Sequence, residues 1–281
     1  MTKEELTVLA AKLMEEEDQN RIPPDIALDS AVAGMRLYDK PILGFAGAED
    51  PLFHELKKPE AVGPHFLTPR EWMQEAQTVI SLFFPLSPEV RKSNRVDMSW
   101  PSLGWVHARA EGMDMIDRVN QRLREMLESR GYLVLSPVRS ERFFALEDEV
   151  QRIYTSNWSE RHVAYVCGLG TFGLSKGLIT KKGVAGRFTS IVTNLELVPD
   201  ARPYTGLYDY CSLCGACVRN CPAGAISLVT GKDHVLCSRF VNATIERYNA
   251  PGTRTRRNKR YGCGKCQVKV PCETGPCKPK P

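Results

Sequence analysis

The sequence predicts a chain in two parts: a layered α/β domain over residues 1–200, then a small ferredoxin-like domain over residues 201–281. Three observations predict it. Helix-like and strand-like stretches alternate as far as about residue 200, the pattern of a layered α/β unit. Nine of the ten cysteines lie beyond residue 210, in and after one closely spaced run. The chain has 281 residues, enough for one sizeable core and a smaller satellite.

The elements follow in order. Leu6, Leu9, Ala10, Leu13 and Met14 fall on one stripe of residues 4–17, predicting an amphipathic opening helix that Pro23 and Pro24 end. The Pro/Gly-rich stretch from Pro41 to Pro69 reads as mostly loop, and Trp72 to Ala76 as a helix leading into a buried strand at residues 78–84. His107 to Arg130 carries Ile116, Val119, Leu123, Met126 and Leu127 at helical spacing, stopped by Gly131, and Tyr132 to Ser136 follows as a strand. Ser156 to Val166 reads as a helix with Ser156 or Asn157 as its cap. Strands are expected at Leu174–Thr180 and Arg187–Thr193.

Between that helix and those strands stands CGLGTFG, which contains the dinucleotide spelling G-x-G-x-x-G at Gly168, Gly170 and Gly173. A true dinucleotide site follows a strand and opens a helix, whose N-terminus holds the pyrophosphate. Here the glycines follow a helix and lead into a strand, which argues against that site. Two readings remain: a tight turn using the conformational freedom of glycine, or a backbone made bare for a large flat ligand, with Thr171, Ser175, Thr180 and Thr189 offering hydrogen bonds.

Composition bounds the setting. A quarter of the residues are charged and the net charge is +5, concentrated in residues 251–281, where nine Lys/Arg face the single acid Glu273. No apolar run approaches the ~20 residues needed to cross a bilayer, and MTKEEL is not a signal peptide. The expectation is a cytoplasmic protein with no membrane partner, so clustered cysteines are expected to bind metal instead of forming disulfides.

Residues 209–226 read DYCSLCGACVRNCPAGAI, which is C-x2-C-x2-C-x3-C-P at Cys211, Cys214, Cys217 and Cys221. This is the bacterial ferredoxin run: three thiolates two residues apart wrap one 4Fe-4S cubane, and the fourth reaches a second cluster. Zinc sites pair two C-x2-C knuckles at a distance and have no use for the third and fourth cysteines. Counting thiols assigns Cys211, Cys214, Cys217 and Cys272 to the first cluster, with Cys277 the alternative to Cys272. The second takes Cys221, Cys237, Cys263 and Cys266. Cys167 is left over, a small buried hydrophobe. Two clusters in tandem form a wire, and about 200 upstream residues are available to hold its acceptor.

The order of GLG, two short strands ending near NLEL, DYC-x2-C-x2-C-x3-CP, a lone Cys237 heading a helix, and YGC-x2-CQ resembles the epoxyqueuosine reductases and, more distantly, the corrinoid reductive dehalogenases. The likeness is strongest from Ser156 to Cys272; upstream it rests on Gly104-Trp105 to Arg109 and Gly112. It implies a nitroreductase-like, cobalamin-binding α/β domain followed by a two-cluster ferredoxin domain. Electrons would pass from the clusters to a base-off cobalamin, for reductive chemistry on a small substrate. The resemblance also implies that the segment Gly168–Gly186 and the strand Arg187–Thr193 line the corrin, with Gly168, Gly170, Thr171, Gly173, Ser175, Lys176, Thr180, Arg187 and Thr189 as contacts.

Three departures shape the expectation. Epoxyqueuosine reductases carry an acidic proton donor in an Asp-Ser-Ala-Pro segment ahead of the Glu-Arg matching Glu160 and Arg161; here the segment reads IYTSNWSER, and Tyr154 falls near the acid's place. Dehalogenases are similar in using a tyrosine. With a pKa near ~10, a tyrosine needs a cation such as Arg152 or Arg161 beside it. The helical repeats that follow in many epoxyqueuosine reductases are not found here, nor is the export signal of respiratory dehalogenases. Tyr154 and Arg161 are thus the catalytic candidates, with His162, His107 and Arg109 further polar ones. The expected partner is a protein electron donor of ferredoxin or flavodoxin type. The alternatives are a non-catalytic electron carrier serving another protein's corrinoid or metal centre, and an epoxyqueuosine reductase acting on tRNA. For the basic tail, screening of cluster charge is favoured over donor docking or nucleic-acid binding.

Overall fold

The computed structural model of the chain describes residues 1–16, 20–249, 255 and 259–277. In chain order the first part holds α1 (Lys3–Glu16), β1 (Ile42–Gly47), α2 (Pro51–Glu55), α3 (Pro69–Trp72), β2 (Thr78–Pro85), α4 (Pro88–Ser93) and α5 (Leu103–Glu128). There follow β3 (Val134–Leu135), β4 (Ala145–Asp148), β5 (Ile153–Ser156), α6 (Glu160–Val166), β6 (Gly170–Phe172), β7 (Leu178–Thr180) and β8 (Gly186–Thr193). The cysteine-rich part adds α7 (Ala216–Arg219), β9 (Ile226–Ser227), β10 (Gly231–Lys232), α8 (His234–Tyr248) and 3₁₀ turns at Lys265–Gln267 and Pro271–Glu273.

The fold is mixed α/β. Its main sheet runs β1–β2–β8–β3 with every neighbouring pair antiparallel. The middle strand β2 is buried along its whole length, because helices cover both faces. Successive strand side chains leave by opposite faces. Ile80, Leu82 and Phe84 join α1 and α5 (Leu6, Leu13, Met115, Val119) in one core, while Val79 packs with Val163 and Val166 of α6 and with Trp158 in another. Each such apolar side chain, fully buried, contributes about 1.5–3 kcal/mol.

Several elements differ from the sequence expectation for identifiable reasons. The stretch 41–69 is mostly but not wholly loop: it holds α2, and β1 pairs with β2 in register from Ile42–Phe83 to Gly47–Thr78, a long-range partnership that local Gly and Pro content hides. The helix expected at 72–76 lies earlier, since Thr68 caps it in a capping box with Glu71, and Met73 leaves in an extended conformation. The helix before the glycines begins only at Glu160. Residues to Ser156 belong to β5, and the Asn157 side chain instead bridges Phe144 N and Arg142 O. The strand at 132–136 shortens to two residues. Residues 174–177 form the turn of a β6–β7 hairpin, with Lys176 at φ 55°. Glu17 of the opening helix lies outside the described residues, as do Arg254, Arg256, Arg257, Lys278 and Lys280 of the basic tail. No helix among the described residues is long and apolar enough to cross a membrane.

Candidate functional site

The cysteines gather around two separate cavities. Cys211, Cys214, Cys217, Cys272 and Cys277 line one. Cys221, Cys237, Cys263 and Cys266 line the other. Local chemistry explains the loops: Gly215, at φ 69°, turns the run so that α7 can start with Cys217 one residue in. Cys237 rides on α8, whose start is capped by the Asp233 carboxylate accepting from Val235 N and Leu236 N. Cys266 and Cys272 sit in the two 3₁₀ turns. Ala225 N donates to the Cys221 sulfur at 3.2 Å.

As free thiols, Cys217, Cys263, Cys266 and Cys272 resist ionisation. Burial pushes Cys217 up to about 11 and Cys263 to about 12. Burial and the neighbouring Cys277 raise Cys272 as well. Bound metal reverses that logic, because a coordinating thiol is deprotonated outright. A set of four or five buried sulfurs around each cavity therefore fits a metal–sulfur cluster in donor chemistry. Among the described residues no group of three or more His, Cys, Asp or Glu is placed to hold a single ion; the sulfurs ring voids instead.

The largest cavity, about 1020 Å³, is a cleft of the α/β part, lined by Tyr154, Arg161, His162, Lys176, Arg152 and His234 among others. It lies at the upper end of ligand-pocket sizes, ~300–1,000 Å³. Phe143, Tyr165, Phe172 and Tyr208 supply its apolar walls. Tyr154 comes from β5 and stacks on His234 with centroids 5.8 Å apart; its hydroxyl is buried and has no hydrogen-bond partner among the described residues. Arg161, from the first turn of α6, donates to the Lys176 carbonyl at 3.0 Å. His162 holds its Nδ1 against the Ser159 hydroxyl at 2.7 Å and its ring against Phe172. Burial, then the Arg161 charge, lowers His162 to about 4; burial, with nearby Lys232, does the same to His234. Both imidazoles are therefore held neutral near pH 7. The neighbouring Glu160 is pushed the other way, to about 7, by burial, with Ser190 offering partial relief.

The structure thus brings Tyr154, Arg161 and Lys176 into one cleft. It does not bring the rest of the glycine-and-hydroxyl set there. Gly170 pairs with Thr180 across the hairpin, and a β-carbon on it would stand 1.9 Å from the Ile179 carbonyl oxygen. Gly173 packs on the Ile179 side chain, and Gly168 takes φ 80° after α6. The hydroxyls are engaged internally: Thr171 accepts from Tyr210 N at 2.9 Å, Thr180 donates to Gly183 O at 3.0 Å, and Thr189 accepts from Asn120 Nδ2 at 3.0 Å. Ser175 accepts from Gly177 N and lines the first cysteine cavity. Arg187 lines the second. His107 is buried in a charged network, accepting from Leu28 N at Nε2 and facing Glu111 Oε2 with Nδ1 at 2.9 Å. Arg109 bonds the Tyr261 hydroxyl at the second cavity.

Residues to which the sequence assigned no site role also belong here. His234 stands three positions before Cys237 on α8, a spacing that places both on one helix face. Trp105, four before Arg109 on α5, lines the second cysteine cavity. Lys265 and Arg260 of the basic tail are buried, not displayed: Lys265 Nζ donates to Asn94 O, Asn94 Oδ1 and Asp97 O, and Arg260 pairs with Glu111 at 2.7 Å.

Comparison with known proteins agrees with this layout. Residues 207–227 match the 4Fe-4S binding domain family. An epoxyqueuosine reductase of Listeria monocytogenes is 27% identical over 234 residues, 82% of this chain and 55% of that protein. A tetrachloroethene reductive dehalogenase of Desulfitobacterium hafniense is 42% identical over 66 residues, 23% of this chain and 12% of that protein. The solved structure of epoxyqueuosine reductase with a tRNA-Tyr epoxyqueuosine-modified stem loop superposes with a TM-score of 0.53 at 18% identity, covering 97% of this chain and 67% of that one. At that identity the structural likeness concerns the fold. The chain spans about half the length of the Listeria relative.

Proposed function

From a chain of the epoxyqueuosine reductase and reductive dehalogenase-like iron–sulfur family, we propose a reductase that carries two 4Fe-4S clusters and a cobalamin, and that acts on a small substrate in the wide cleft. One observation carries the reading: neighbouring residues of the chain line the cleft and each of the two cysteine cavities. Ser175 lines the first cavity and the next residue, Lys176, lines the cleft. His234 of the cleft and Cys237 of the second cavity lie one turn apart on α8.

When bound, such groups would supply single electrons and a reducing metal centre. The chain's own residues supply the rest. Arg161 and Lys176 offer positive charge for anionic groups of cofactor or substrate, in a cleft that Glu55, Glu60 and Glu147 also line. The aromatic walls exclude water. The Tyr154 hydroxyl, buried without a partner, is the proton donor, and neutral His234 stacked on it keeps the ring in place. The support for a bulky cofactor is the size of the cleft and these two cations, with Lys176 its contact from the glycine-rich hairpin.

Anaerobic purification and reconstitution test the reading, with iron and cobalt analysis beside a visible spectrum. About eight irons per chain and stoichiometric cobalt are expected, with cobalt uptake lost when Arg161 and Lys176 are both replaced by Ala. Zinc in place of iron, or cobalt excluded at every redox state, overturns it. The second result leaves the electron-carrier alternative. A second reading, reduction of epoxyqueuosine in tRNA, is favoured by the Listeria relative, whose match extends over most of this chain. It requires tRNA binding that weakens steeply with salt; a flat response rejects it.

A further inference from the structure

We propose that Trp105 and Arg187 hold the second cluster, bound by Cys221, Cys237, Cys263 and Cys266, at a higher reduction potential than the first. The inference rests on the two-cluster reading and goes beyond it by ranking the clusters and naming the residues that set the order.

The second cavity carries charged and N–H donors among apolar residues such as Ile226, Phe240 and Val241. Trp105 is 1% exposed and lines it, and the indole Nε1–H has no acceptor among the described residues. A buried N–H left unpaired is costly to keep, which marks a site built for an acceptor the polypeptide does not itself supply. Arg187 Nε is buried and unpaired in the same way, with its guanidinium 5.9 Å from the Trp105 ring centroid. Arg109 and Lys232 add positive charge to the same wall. Trp105 also sits directly against the ligand loop: a β-carbon on Gly264, between Cys263 and Cys266, would stand 1.8 Å from its Cζ2.

The first cavity is walled differently. Its lining contains no Lys, Arg, His or Trp among the described residues; Leu174, Ile179 and Val270 form its apolar wall, with the hydroxyls of Ser175 and Ser212. Hydrogen bonds to sulfur and nearby positive charge favour the reduced, more negative form of a cluster, whereas a dry apolar wall disfavours added charge. The asymmetry makes the second cluster the resting place of the first electron. It also gives Arg187 a role at the second cluster instead of at a corrin.

An EPR-monitored redox titration of the anaerobically reconstituted full chain tests this. Two one-electron waves are expected. Trp105→Phe should lower the reduction equilibrium constant of the upper wave about tenfold, the worth of one hydrogen bond and equal to about 59 mV, and leave the lower wave unmoved. Arg187→Gln, on a different element, should move the same wave in the same direction, and it decides the matter if Trp105→Phe fails to hold a cluster. An upper wave unmoved by the substitutions, a shift in the lower wave, or two clusters titrating together overturns the proposal. A single wave with about four irons overturns the two-cluster reading beneath it instead.

Discussion

The two cysteine cavities share a ligand chemistry but are fastened to the body by different means. The first is held by main chain and by the buried Glu273 carboxylate in the turn of Cys272, which pairs with Arg91 and Arg95. Val184 N donates to Cys272 O, Cys277 N to Tyr210 O, and Tyr210 N to the Thr171 hydroxyl. Gly183, at φ 89°, lies so close to the 3₁₀ turn carrying Cys272 that a β-carbon would stand 2.1 Å from Glu273 O. The second is held by buried side chains. Arg260 is paired with Glu111, which also meets His107, and Lys265 is tied to Asn94 and Asp97, while Asn94 Nδ2 reaches Cys263 O. What distinguishes the first is close steric fit at Gly183 beside its ion pair, and the second a network of buried charge around Glu111 and Lys265; they share no residue, so each can be broken without the other.

The largest effect should come from the charge network of the second. Glu111→Leu strands Arg260 in a dry site, and removing one partner of such a pair costs about 3–5 kcal/mol. The expected outcome is a lowered thermal midpoint and iron lost from one cluster, with the spectrum of the other retained; equal loss of both would erase the distinction. Next in size is a buried charge outside both fastenings. Glu160 has a folded value of about 7 against an ordinary 4.5. The folded chain therefore binds its proton more tightly than the unfolded chain does, and stability falls as pH rises from about 4.5 to 7. About 3 kcal/mol is lost above that window. Denaturant unfolding at pH 8 should find Glu160→Gln the more stable protein by that order, and the two equal near pH 4; a pH-independent gap would refute the assignment. Smallest is the steric fastening: Gly183→Ala should cost about 1–3 kcal/mol through crowding. It should empty the first cavity of iron while leaving the second cluster's signal intact.

How legible these regions were follows the range of the interactions. The cysteine run could be read because its ligands are two and three residues apart, and the remaining thiols by counting what two cubanes require. The strand at 78–84 announced itself by an unbroken apolar run. The glycines were harder. Gly170 and Gly183 are demanded by the carbonyls of Ile179 and Glu273, and the second of these is ninety residues away along the chain. Spelling alone left a tight turn and a ligand loop both open; contact accounts for the turn, as a packed hairpin. β1 stayed hidden because its hydrogen-bond partner is β2, and Trp105 because nothing in a helix of ordinary composition marks one indole as an unsatisfied donor.

Ser175 and Lys176 are consecutive, yet they line different chambers. The hairpin turn that carries them touches both, so a change on one side can reach the other through a single peptide link. A chain starved of iron would then offer any guest of the cleft a turn held from one side only.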